Sequence, residues 1–385
     1  MHPEGQQPLS GYRIVDLTRV LSGPFLTQIL GDLGADVIKV EAPSGDTVRT
    51  QGEGRNGFSW YFAGFNRNKR SIVLNLKSPE GRTALEALIR TADALVENFR
   101  PGVLTRLGFS PERLQELRPG LVTCAVTGFG SDGPYKDRPA FDFIAQAMSG
   151  FMSVNGRDDD PPLRSGLPVG DLVAGIYGAL GVTAALLRRE RGGGREHVDV
   201  SLTNSMVSLL AYVGSNYLAS GEIMQRSGND HPIAAPYGLF QTADTPIAVA
   251  PNDDEFFGRL MDALGLSEFK NNPKYQSNMH RVTQRETLNA AVTEKLKSAD
   301  ASTWIERLNA AGVPCARVND VQGVFDDPQI QAQEMAIEID HPTRGPMTVI
   351  GYPMKFTDAP CKVHRHPPEL GEHTDEILRE LGIKE

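Results

Sequence analysis

The chain is poor in cysteine. Its 385 residues include three, Cys124, Cys315 and Cys361, widely separated and without a CxxC pair. An odd, scattered count supports no disulfide framework and fits a reducing compartment, so the cytoplasm is the expected location. Histidine is sparse too: eight residues show no HExxH and no metal-ligand spacing with cysteine, and no metal is expected. No GxSxG elbow and no GxxxxGK[ST] loop occurs, which removes the serine-hydrolase and P-loop readings. Basic excess is also missing. A net charge of −9 argues against general attraction to nucleic acid or acidic membranes. The most apolar long run, 206–218, is too short and too polar to span a bilayer. The N-terminus has no basic region followed by an apolar core, so no secretion signal is read there.

What is present is ordinary globular composition, 40% hydrophobic and 23% charged, on a chain long enough for two domains. Strand-like runs at 12–17, 35–41, 70–76, 94–99, 121–126 and 197–202 alternate with helical spacing. That rhythm predicts an α/β fold with a large, doubly wound, mostly parallel sheet of Rossmann-like type. Composition then shifts. We read 9–204 as the large domain, 205–230 as helix and linker, 231–325 as a small α+β domain, and 326–385 as a segment returning to the large domain. Ligands of such sheets gather at loops after the strands' carboxyl ends, here 18–24, 41–46, 98–102 and 127–134.

Residues 128–133 spell GxGxxG after a strand, the mark of a nicotinamide-dependent dehydrogenase. A dinucleotide fingerprint opens a helix directly, whereas Pro134 and Pro139 make the segment after these glycines turn-like. The stronger signal is the stretch 164–194. A loop with Gly166 and Gly170 leads to Asp171, then to a long apolar helix that ends in Arg188, Arg189 and three glycines. Two roles fit Asp171: a cap for the helix start, the commoner use of aspartate there, or a reactive carboxylate. Around it, Asn66, Asn68, Lys69, Arg70, Lys77, Asn98, Arg100 and Arg106 are either a solvated surface or a set able to meet a phosphorylated ligand.

Several stretches carry a resemblance: GYRIVDLTRVLSGPFLTQILGDLGADVIKVEAP at 11–43, NRNKRSIVLNLKSPEGR at 66–82, ADALVENFRPGVLTRLG at 92–108, GFGSDGPYKDRPAFDFIAQAMSG at 128–150 and VGDLVAG at 169–175. In order and spacing they resemble the class III CoA-transferases, the formyl-CoA:oxalate and carnitine type, with the α-methylacyl-CoA racemases as relatives. The resemblance implies Asp171 as nucleophile. It also implies a CoA site built from Leu21, Ser22, Leu74, Asn75, Lys77, Asn98, Phe99, Arg100 and Arg106, with Ala140, Phe141 and Asp142 in a further matching segment. Ala42 and Pro139 depart from the basic residues of the formyl-CoA enzyme, where Arg138 or Lys136 could substitute. No tightly bound cofactor is implied. Acyl-CoA and a small carboxylic acid are the substrates, and the family's chains are ring-shaped and interlock as homodimers.

A racemase is the alternative within the superfamily, but its proton transfer needs a second base, and Phe141 stands where racemases carry histidine. A non-catalytic CoA-binding protein is the alternative outside it. Few glycines between 225 and 255 disfavour formyl-CoA:oxalate exchange, leaving a succinyl-type donor with a small dicarboxylate acceptor. Asp142, Arg226 and His231 are candidate neighbours of the site.

Overall fold

Runs of β-branched and apolar residues flanked by turns extend as strands β1 (Arg13–Asp16), β2 (Asp36–Glu41), β3 (Lys69–Val73), β4 (Ala94–Glu97), β5 (Val122–Thr127) and β6 (Glu196–Ser201). In the computed structural model, which describes residues 6–52 and 57–383, they form one sheet ordered β3-β2-β1-β4-β5-β6. Every pairing in it is parallel, with Val15 opposite Ile38 on one side and Leu95 on the other. The chain winds outward from β1 to β3, then crosses to β4. A crevice therefore opens beyond the carboxyl ends of β1 and β4, where such folds bind ligands.

The connecting helices are α1 (Ser22–Asp32), α2 (Trp60–Gly64), α3 (Pro79–Thr91), α4 (Val103–Arg106), α5 (Pro111–Leu117), α6 (Asp142–Met148), α7 (Phe151–Val154), α8 (Val169–Glu190) and α9 (Leu202–Ser208). α3 and α5 start alike: Ser78 and Ser110 accept hydrogen bonds from first-turn N–H groups, and proline fills the next position. Alternation along the strands divides the core. Ile14, Val37, Val96 and Val122 pack with Leu26 and Leu30 of α1 and Val182 of α8. Val15, Ile38, Ile72 and Leu95 face Leu85, Leu88 and Leu114 of α3 and α5, and Ile377 of the C-terminal helix Thr374–Glu380. α1 lies very close to α8 because Gly175 has no side chain: a Cβ there would sit 2.9 Å from the Ser22 carbonyl oxygen. α8 is the one helix among the described residues long and apolar enough to cross a membrane. Here it spends its buried face, Ala174, Gly178, Val182 and Leu186, on the core of the sheet domain.

Two compact units emerge. One comprises the chain up to Phe151, Ser165–Ala211 and everything from Gln329 onward. Its last part contributes the hairpin β10 (Ala336–His341) and β11 (Gly345–Ile350), and the C-terminal helix. The other unit, Met152–Arg164 with Tyr212–Pro328, holds an antiparallel sheet of β7 (Gly238–Gln241), β8 (Pro246–Val249) and β9 (Cys315–Arg317). Helices including Asp254–Leu264, Arg285–Leu296 and Ala301–Ala310 pack on it around Trp304, Phe257, Phe240 and Leu288. The helix expected within 205–230 is two, α9 and α10 (Ala211–Ser220), broken where Ala211 takes a φ of 45°.

Candidate active site

Asp171 does not cap its helix. α8 begins two residues earlier, after Pro168, and Pro168 has no side chain able to cap. The capping carboxylate comes from elsewhere: Oδ1 of Asp142, at the start of α6, accepts the Gly170 N–H at 2.7 Å. Its other oxygen accepts Gln146 Nε2 at 2.6 Å, and Gln146 Oε1 accepts the Ser165 N–H at 2.8 Å. Glycine at 170 is required for this approach, because a Cβ would stand 2.9 Å from Asp142 Oδ1. Asp171, third in the helix, lines one cleft with Ser22 from the first turn of α1, whose hydroxyl favours the Asp171 anion.

A helix start favours an anion, which would hold the Asp171 carboxyl low. The structure reverses that expectation. Burial first, and the Asp142 charge second, push Asp171 up to about 6, a carboxylate kept basic and reactive rather than comfortably ionised. A further residue enters here that the sequence did not single out. Tyr61 of α2 has its phenol raised to about 12, by burial and then by the charges of Asp171, Asp46 and Asp142. The signal for it is faint: an aromatic cluster, Trp60-Tyr61-Phe62, just ahead of the basic NRNKR run.

Beside Asp171 lies a cleft of about 180 Å³ at the β1–β4 switch point. Leu21 and Ser22 line it from the loop after β1, Asn98, Phe99 and Arg100 from the loop after β4, and Arg138, Ala140 and Phe141 from the approach to α6. Arg19 and Lys136 also lie on its rim. Arg138 stacks its guanidinium 3.7 Å over the Tyr135 ring, and Phe141 is 73% exposed, an apolar edge open to a ligand. Asp142 stands behind the cleft, holding α8. Asn98 clamps the opposite loop through both ends of its amide, accepting the Arg19 N–H at 3.0 Å and donating to the Arg19 carbonyl at 2.8 Å. Val20, next in line, has φ 71°, a left-handed conformation costing a β-branched residue roughly 1–3 kcal/mol.

The remaining expected residues lie elsewhere. Leu74, Asn75, Lys77 and Arg106 do not line this cleft. Leu74 is buried beyond β3, Asn75 accepts the Lys77 N–H at 3.1 Å, and Arg106 ends α4 at the surface. The run 66–70 belongs to the interior: Asn66, Asn68, Lys69 and Arg70 are all at least 97% buried. Lys69 Nζ donates to Asp16 at 3.1 Å and to the Pro24 carbonyl at 2.9 Å, and Arg70 pairs with Asp36, Glu376 and Glu380. These cations have partners already and offer nothing to a phosphate. Arg226 likewise spends its guanidinium on the carbonyls of Arg157, Asp158 and Asp160, and His231 packs against Tyr212 and Tyr237. After the GxGxxG run the chain turns until α6 starts at Asp142, so no helix opens on those glycines.

A larger cavity, about 450 Å³, lies where α4 and α5 pass β4–β6, lined by Leu95, Phe109, Leu114, Thr123 and His197. Burial raises its Glu97 to about 7, but that carboxylate accepts the Phe99 N–H at 2.6 Å, which fixes the turn beneath the cleft. Size alone does not make it the reactive site. Asp171 and the cations that could meet a phosphorylated substrate converge on the smaller cleft.

A carboxylate on a helix start, beside a cation-rimmed cleft at the switch point of a parallel sheet, defines an α/β enzyme handling an anionic substrate. The chain belongs to CoA-transferase family III, which matches residues 9–374. It is 36% identical to a succinate–glutarate CoA-transferase of Agrobacterium fabrum, over 98% of this chain and 97% of that one. It is 37% identical to a succinyl-CoA:mesaconate CoA-transferase of Haloarcula marismortui, covering 97% and 96%. A CaiB/BaiF family protein from Brucella suis superposes with a TM-score of 0.87 at 38% identity, covering 98% and 100%. The protein is thus a CoA-transferase, with CoA thioesters as substrates.

Proposed function

We propose that this CoA-transferase takes CoA from a succinyl-type thioester to a small dicarboxylic acid, with Asp171 as the nucleophile. The observation that carries the reading is that Asp171 lines the cleft beside Ser22, its capping duty taken over by Asp142. The names of relatives, glutarate and mesaconate enzymes with succinyl donors among them, support the substrate class.

The Asp171 carboxylate attacks the thioester carbonyl. A C–O bond forms, the C–S bond breaks, and CoA leaves as thiolate, giving an acyl–aspartyl anhydride. The thiolate attacks the aspartyl carbonyl and expels the donor acid, leaving an aspartyl-CoA thioester. The acceptor carboxylate attacks that thioester and releases the thiolate again. Attack of the thiolate on the acceptor's acyl carbon then yields the new acyl-CoA and restores Asp171. Ser22, and the N–H groups at the start of α8, can stabilise the oxyanions formed at each addition. A cleft of about 180 Å³ takes the thioester end of the substrate, smaller as it is than a typical cofactor pocket. The nucleotide end of CoA would lie along the rim, against Arg19, Arg100, Lys136 and Arg138. The Asp171 charge raises the Tyr61 phenol, so Tyr61 stays protonated and a hydrogen-bond donor at the working pH.

Two copies are proposed to interlock as the working form, with large and small domains as read from the sequence. Support comes from the outer side of α8, where Ile176, Leu180 and Leu187 are 50–63% exposed, a stripe a lone chain rarely shows. The cytoplasm is the proposed setting, consistent with three unpaired cysteines. The test is exchange between a panel of acyl-CoAs and free acids, followed by mass spectrometry. Succinyl-CoA with glutarate or mesaconate should exchange fastest, and Asp171→Ala should lower the rate at least ~1,000-fold. Unimpaired transfer by Asp171→Ala would remove the nucleophile.

A further inference from the structure

Beneath the loop that presents Ser22 lies an ion pair with no role in the chemistry above. Lys39 of β2 and Asp46 are 3.0 Å apart, their side chains 0% and 1% exposed. Burying two charges is costly, so a pair kept in the interior needs work that apolar residues could not do. The partners of this pair show what that work is. Lys39 Nζ donates to the Thr18 carbonyl at 2.9 Å. Both Asp46 oxygens accept the Val20 N–H at 3.2 Å. The pair thus grips the loop on either side of Arg19, while Asn98 holds Arg19 itself from the opposite side. Between these grips stands Val20, at φ 71°. A valine does not adopt that conformation unless its surroundings impose it. Two residues on, Ser22 lines the same cleft as Asp171.

We infer that Lys39 and Asp46 are positioning residues for CoA transfer: together they impose the left-handed turn at Val20 that aims Ser22 at Asp171. Neither touches the reacting atoms. They act through the loop, and the inference rests on the reading of Asp171 as nucleophile and Ser22 as its partner.

A merely structural pair and a positioning pair differ in what rescues them. Glycine adopts a positive φ without strain, so a Val20→Gly change should make the imposed turn available even when Asp46 is gone. Turnover of Asp46→Ala should fall about 10- to 100-fold, the scale of a reacting group misplaced by about an ångström. Val20→Gly combined with Asp46→Ala should recover most of that loss. Ser22→Ala combined with Asp46→Ala should lose little more than Ser22→Ala does alone, because Asp46 acts through Ser22. If Asp46→Ala does not fold, Asp46→Asn, which keeps an acceptor oxygen and loses the charge facing Lys39, carries the same comparisons. Asp171→Ala is measured beside them. If it is inactive while folded Asp46 variants transfer CoA within twofold of the unaltered enzyme, the positioning role is overturned and the nucleophile stands. The positioning role is equally overturned if Val20→Gly restores nothing, or if the losses of Ser22→Ala and Asp46→Ala simply multiply. If Asp171→Ala transfers CoA normally, both readings fall.

Discussion

At the scale of single residues, the site depends on which carboxylate caps and which reacts. Asp171 alone is ambiguous in the sequence, and the usual expectation for an aspartate at a helix start is a cap. The cap is Asp142, 28 residues away and brought to Gly170 by the turn into α6. No local pattern encodes that exchange of roles; only the resemblance of the surrounding stretches to a known family points to Asp171. The exchange has a consequence in solution. Burial and Asp142 hold the Asp171 carboxyl at about 6, and only its anion attacks. kcat/KM should therefore rise with pH up to an acid-side limb near 6 and fall roughly tenfold per pH unit below it. Asp142→Asn removes the neighbouring negative charge, which was raising the value, so its limb should move to lower pH. A limb that stays in place in that variant, measured with the same acyl-CoA, would mean that Asp142 does not set the acidity of the nucleophile.

At the scale of elements, the alternation of strand and helix was legible. Periodicity and turn residues mark each strand of the large sheet, because such signals are local. Ends were less legible. The strands expected over 70–76 and 94–99 stop at Val73 and Glu97, since the chain turns there: Asn75 accepts the Lys77 N–H within its own loop, and Asn98 bonds Arg19 in the loop after β1. Burial of the basic run 66–70 was not legible either. Its partners, Asp16, Asp36 and Glu380, lie tens to hundreds of residues away. The contact between α1 and α8 couples this architecture to the chemistry, because the two helices supply Ser22 and Asp171. Gly175→Ala would place a methyl group 2.9 Å from the Ser22 carbonyl oxygen. It should destabilise the fold by about 1–3 kcal/mol, the usual effect of overpacking a close contact. Activity should fall with it at temperatures where the variant remains folded. Thermal melting and turnover measured on one preparation check both; an unchanged melting temperature would mean that the helices part without cost.

At the scale of the whole molecule, sequence and structure agree on an α/β protein built on a parallel sheet, which has six strands. The outer stripe of α8 was hidden in the sequence, which marks only a long apolar helix. Ile176, Leu180 and Leu187 instead face outward. If a second copy covers them, Leu180→Glu should shift the protein from dimer to monomer in light scattering or sedimentation. A monomeric unaltered protein would refute the pairing directly.

The central claim, that Asp171 carries the acyl group and then CoA, is tested most directly by trapping. Incubated with succinyl-CoA alone and quenched with hydroxylamine, the enzyme should yield an aspartyl hydroxamate on the peptide bearing Asp171. Peptide mass spectrometry should find the corresponding mass change there and on no other carboxylate. Transfer in full swing with the Asp171 peptide unmodified, or with the modification on another residue, would contradict it.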